Sequence, residues 1–95
     1  MIYAKIHVRD SERLLAACDE ELLGMTFAGN GMRLKVSETF YKGELISEEA
    51  FRERMKSVTM MNLVGERTVT MAQAAGYASE TLIIGGVKHA QAVIM

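Results

Sequence analysis

Ile2, Ala4, Ile6 and Val8 alternate with Tyr3, Lys5, His7 and Arg9, a period of two that turns one face of a strand to a core and the other to solvent. Asp10 and Ser11 follow, and their short polar side chains, which bond nearby backbone groups, mark a reversal. Over Arg13 to Cys18 two readings fit. Leu14, Leu15, Cys18 and Leu22 sit at helical spacing, yet the run also suits a fully buried strand closing a hairpin with the first. The strand is preferred, because Asp19 is a favourable N-cap and Glu20 and Glu21 then fill the first turn of a short helix, where acids complement the helix dipole. Gly24 ends that helix.

Ala28-Gly29-Asn30-Gly31 reads as a loop, since Gly and Asn tolerate the positive φ of tight turns. Met32, Leu34 and Val36 then alternate with Arg33, Lys35 and Ser37 as a second clear strand. Phe40 and Tyr41 lead to a turn at Lys42-Gly43, and Glu44 to Ile46 pairs back as a short strand. Ser47 caps the clearest helix: Glu48 and Glu49 occupy its first turn, Phe51, Met55 and Val58 form its apolar stripe, and Arg52 and Lys56 lie toward its end. Thr59 is placed to cap a second helix running through Ala75, with Met61, Gly65, Val69 and Ala72 as a narrow face and Gly76 at the C′ position. Thr81 to Ile84 reads as a strand, Gly85-Gly86 as a tight turn, and Val87 to Met95 as an apolar carboxyl-terminal strand. The expected fold class is α+β, a single mostly antiparallel sheet with two helices packed on it.

The chain's 95 residues make room for one domain spanning 1–95. At 49% hydrophobic and 24% charged it has the material for a packed core. Eleven Lys plus Arg against twelve Asp plus Glu give a formal charge of −1, which removes the strongly basic signature of a dedicated nucleic-acid binder but leaves room for a local basic face. A lone cysteine, Cys18, can form neither an internal disulfide nor a Cys-based zinc site. The longest apolar run, Leu14 to Cys18, is far too short for a bilayer crossing, and MIYAKIHVRD lacks a signal-peptide core. A cytoplasmic protein without a membrane partner is expected. Eight methionines and no proline suggest a core whose irregular gaps are filled by flexible thioethers.

Phosphate-binding glycine motifs are absent, and His7 and His89 share no ligand spacing, so no cofactor and no metal are expected. Cys18 with His89 could form a thiolate–imidazolium pair, but the apolar Leu14-Leu15-Ala16-Ala17 setting favours a buried, inert thiol. Asp19, Glu66, Arg67 and His89 are the remaining catalytic candidates, each at a turn or element end. Their plain readings are a helix cap, two solvated helix residues and a strand residue. A candidate nucleic-acid surface comes from Tyr3, Lys5, His7 and Arg9 on one side of the first strand and Arg33 and Lys35 on one side of another. If those sides coincide, cations with an aromatic and an imidazole suit a phosphate backbone and a stacked base of RNA. The alternative is an ordinary solvated sheet face, or one covered by helices. Arg52 and Lys56 would extend the surface, although Glu48 at i−4 from Arg52 points to ordinary pairing on the helix. The apolar tail Ala92 to Met95 is also suited to a sheet edge, and so to a homodimer or protein partner by strand addition.

Taken together, the segments LLAACDEELLG, VSETFYKGELIS, NLVGER and IIGGVKHAQAV, spanning Leu14 to Val93, resemble the archaeal family called domain of unknown function 424. The resemblance implies a compact single-domain cytoplasmic protein and an association with translation or RNA metabolism, without an assigned activity. Asp19, Gly24, Phe40, Tyr41, Gly43, Asn62, Gly65, Glu66 and His89 match the family's pattern, and the resemblance assigns none of them a role.

Overall fold

The computed structural model describes residues 1–78 and 80–94. Strands β1 (Ile2–Arg9) and β2 (Glu12–Asp19) form the expected hairpin, antiparallel from Ile2 opposite Asp19 to Arg9 opposite Glu12, with Asp10 at φ 55° in the turn. The ambiguous run is thus strand. Leu15, Ala16, Ala17 and Cys18 are all buried, because β2 is covered on both faces, and alternation is lost from such a strand. A 3₁₀ turn at Glu20–Leu22 follows, but the Asp19 side chain makes no bond to it.

The next hairpin, β3 (Thr26–Gly29) with β4 (Met32–Lys35), corrects the expected loop: Ala28 and Gly29 are strand residues, and only Asn30-Gly31 turns the chain. Their φ values of 54° and 74° are both positive, as a two-residue type I′ turn requires. Ser37 then accepts a hydrogen bond from the Phe40 amide at 3.2 Å and caps α1 (Glu38–Tyr41), a single turn not evident in the sequence. β5 (Glu44–Ile46) returns to pair with β1. Ser47 caps α2 (Glu48–Met55) as expected, accepting from the Ala50 amide at 3.1 Å.

The expected helix from Thr59 to Ala75 is corrected. Met60–Val64 is strand β6, and α3 (Glu66–Ala74) starts only after Gly65. β6 pairs parallel with β2, from Leu14 opposite Met60 to Cys18 opposite Val64. Covered on both faces, it carries an apolar run broken only by Asn62, which periodicity alone does not distinguish from a helix segment. Thr59 caps nothing: its hydroxyl accepts from the Arg13 amide at 2.9 Å and donates to Glu12 at 2.9 Å, fastening the start of β6 to β2. β7 (Leu82–Ile84) and β8 (Val87–Val93) form the last hairpin around Gly85-Gly86, and the expected strand end at Met95 lies outside the described residues.

The sheet order is β5-β1-β2-β6-β8-β7, antiparallel except for the β2–β6 pair. Phe51 and Met55 of α2 and Val69 and Ala72 of α3 pack on one face against Ile2, Ala4, Leu15, Ala17, Met61 and Leu63. Full burial of a side chain such as Phe51 contributes about 1.5–3 kcal/mol. The opposite face is covered too. There Leu34, Val36 and Tyr41 meet Ala16, Cys18, Val64 and Ile84, so the sheet is the middle of three layers: helices, sheet, and the β3–β4 hairpin with α1.

Candidate functional site

Three of the four catalytic candidates come together, and each is occupied in holding the fold. Asp19, at the end of β2, accepts from the amides of Arg67 and Thr68 at 3.1 and 2.8 Å and from the Thr68 hydroxyl at 2.7 Å. It is therefore a cap, but of α3 rather than of the turn that follows it. Arg67 donates to both Glu21 carboxylate oxygens at 3.0 and 2.6 Å and to the Met1 carbonyl at 3.3 Å. The Glu21 carboxyl is held below its usual range by its own backbone amide and by Arg67, and the Arg67 guanidinium is pushed up by Glu21. Glu66 pairs with Lys88 at 3.2 Å. His89 does not join them: it stands on the hairpin side of the sheet, its Nδ1 3.0 Å from the Leu63 carbonyl. Cys18 is pushed up to about 12 by burial and by the nearby Asp19 and Glu21 charges, so it is a thiol at neutral pH. Among the described residues no group of three or more His, Cys, Asp or Glu could hold a metal ion.

The six candidates for nucleic-acid binding all lie on the hairpin side. Three of them are not a bare strip, because α1 lies over β1. A short helix leaves its last carbonyls without internal donors, and β1 supplies donors: Lys5 Nζ donates to the Thr39 carbonyl at 2.8 Å and His7 Nε2 to that of Phe40 at 2.8 Å. The His7 ring stacks on Phe40, centroids 4.7 Å apart and planes 19° from parallel. Tyr3 packs into the second core. Arg9 is exposed at the far end of β1. Because Leu34 points inward, Arg33 and Lys35 point outward and are exposed one layer above the sheet. Among the described residues, no carboxylate pairs with Lys5, Arg9, Arg33 or Lys35. Arg52 and Lys56 belong to the helix layer, and Lys56 pairs with Glu53 at 3.2 Å, so they do not extend this surface.

The same side holds polar residues that sequence reasoning misses. The Tyr41 hydroxyl donates to Asn62 Oδ1 at 2.6 Å, and burial, with Cys18 nearby, pushes the phenol up to about 12. Asn62 stands opposite Gln91 across the β6–β8 ladder. Beside them a cavity of about 640 Å³ is lined by Met32, Leu82, His89 and Gln91, among others. One signal is present in the sequence: Asn62 is a single amide within an otherwise apolar strand, Met60–Val64. The carboxyl-terminal strand is only partly an edge. β7 pairs with Val87–His89, whereas among the described residues Ala90–Val93 is paired only on the β6 side.

These features define a three-layered α+β protein whose hairpin side carries unneutralised cations beside an amide- and imidazole-lined cavity. Residues 6–95 match the family model described as "Protein of unknown function (DUF424)", and the chain belongs to that family. It is also similar to a solved structure, a crystal structure of an uncharacterized conserved protein from Methanopyrus kandleri, at 31% identity and a TM-score of 0.80, covering 99% of this chain and 91% of that one. No curated protein matches. Among the described residues no helix is long and apolar enough to cross a membrane.

Proposed function

We propose that this protein is a non-enzymatic binding module that holds single-stranded RNA, free or in a ribonucleoprotein, against the hairpin side of its sheet. The observation that carries this reading is the disposition of charge. Lys5, Arg9, Arg33 and Lys35 share one side and have no carboxylate partner among the described residues. The acids Glu20, Glu21 and Glu66 instead pair with the amino terminus, Arg67 and Lys88 near the Asp19 end of β2. A net charge of −1 is compatible with a positive side because these acids are engaged elsewhere; of the acids on the hairpin side, Glu12 stands opposite Arg9 and is held by the Thr59 hydroxyl at 2.9 Å, and Glu38 begins α1. The stacked His7–Phe40 pair adds an aromatic surface of the kind on which bases stack.

Titration of a labelled single-stranded RNA by fluorescence anisotropy tests this at about 50 and about 200 mM salt. Release of counterions by four cations predicts a slope of log affinity against log salt of about −3. No binding at the lower salt, or a slope near zero, overturns the reading.

A second reading, self-association through the carboxyl-terminal strand, is favoured by one observation: among the described residues Ala90–Val93 has no strand partner on its outer side, and Val93 is 66% exposed. Light scattering on the intact chain and on a folded chain lacking Ala92 to Met95 tests it. A monomer mass in both sets it aside.

A further inference from the structure

The cavity between β4 and β8 carries chemistry that the cations alone do not. Met32 and Leu82 are large apolar side chains lining it, 43% and 50% exposed. Exposed apolar surface of this kind suits the faces of a flat ring. His89 Nδ1 faces the Leu63 carbonyl, which can only accept, so in the neutral ring Nδ1 carries the proton and Nε2 keeps its lone pair. Nε2 is then an acceptor with no protein partner among the described residues. Gln91 adds an exposed amide, donor and acceptor together.

We infer that this cavity receives one nucleobase of a bound RNA, its faces against Met32 and Leu82 and its polar edge read by His89 Nε2 and the Gln91 amide. The inference deepens the RNA reading above and rests on it. Two features favour a nucleotide over an uncharged planar group. Glu80, which also lines the cavity, can accept from a base's exocyclic amine, and Arg33, next to Met32 in β4 with its side chain on the outer face, is exposed without a carboxylate partner among the described residues and can meet a phosphate of the flanking chain.

The test is a titration of the isotopically labelled protein with each of the four 5′-nucleoside monophosphates to about 10 mM, a range that detects millimolar binding. Ribose 5-phosphate serves as the base-free control, and the readouts are the His89 ring signals and the Gln91 side-chain amide. At least one base should shift both saturably. Gln91→Ala should weaken that binding about tenfold or abolish it, while its amide spectrum elsewhere stays that of the parent. His89→Gln should change which base binds best. Equal shifts from ribose 5-phosphate, or none from any base, overturn the inference. The two proposals fail separately: salt-dependent RNA binding without base shifts removes the base site and leaves the RNA surface. Base shifts without RNA binding remove the RNA reading and leave a site for free nucleotides.

Discussion

The Asp19 carboxylate fills the space that a side chain on Gly65 would need: a Cβ there would lie 2.6 Å from both Asp19 oxygens. Gly65 also sits at φ 112°, where a residue with a side chain is strained. The glycine and the acid act as a pair. One lets the chain turn from β6 into α3 against β2, and the other satisfies the amides that the turn exposes. Asp19→Ala removes that cap and leaves the buried Thr68 hydroxyl without its acceptor. Combining a missing cap with an unsatisfied buried group, the expected loss of stability is about 2–4 kcal/mol, read from urea unfolding midpoints. Gly65→Ala should destabilise in the same assay. A loss for Asp19→Ala below about 1 kcal/mol would show that water replaces the carboxylate.

Tyr41→Phe isolates a second cross-layer bond. The ring still fills its place between α1 and the sheet, and only the hydrogen bond to Asn62 disappears. The expected cost is about 1 kcal/mol in the same unfolding measurement. Substituting Asn62→Ala in both backgrounds should show coupling. If the effects simply add, the 2.6 Å hydrogen bond contributes no coupling energy.

How much of the fold and the site is legible in the sequence follows from where each signal resides. β1 and β4 have one face toward a core and one toward solvent or a partial cover, and their alternation places them correctly. β6 is buried on both faces, so its apolar run matches a helix as well as a strand, and only pairing with β2 decides. Asp19 carries the composition of an N-cap, and its carboxylate does satisfy the first amides of a helix, yet that helix begins 47 residues later behind Gly65, a relation that no local rule contains. Alternation puts the cationic candidates on a shared side, as the fold does. It does not reveal their cover by α1, because that helix is one turn long and is held by Ser37 and by donors from β1. Tyr41 and Asn62 escape pairing in the sequence because they lie 21 residues apart and meet only across two layers.

Arg33→Glu with Lys35→Glu separates charge from fold. Both side chains are exposed and make no ion pair among the described residues, so stability should change by less than about 0.5 kcal/mol. The salt slope of RNA binding should become shallower by about 0.7 for each phosphate no longer neutralised. Arg52→Glu with Lys56→Glu, on the helix layer, is the control and should leave the slope unchanged. Equal effects from both pairs would show that net charge, not this surface, drives the binding.

Alkaline pH probes the hairpin-side core directly. Burial raises the Cys18 thiol from 9.0 to about 12 and the Tyr41 phenol from 10.0 to about 12. Both groups are neutral when protonated, so the folded chain holds these protons more tightly than the unfolded one. Their contribution to stability is complete below pH 9 and is lost as pH rises from there toward about 12. Thermal unfolding should therefore show a Tm that falls across this window, and the fall should be shallower in a Cys18→Ala, Tyr41→Phe variant, although that variant starts from a lower Tm. The remaining ionisable groups are common to both chains and cancel in the comparison. In the folded protein near pH 8 the thiol should react with a soluble disulfide reagent far more slowly than in the unfolded chain. Parallel Tm curves together with rapid thiol modification would mean that water reaches Cys18 and Tyr41, and that the hairpin and α1 do not seal this face of the sheet.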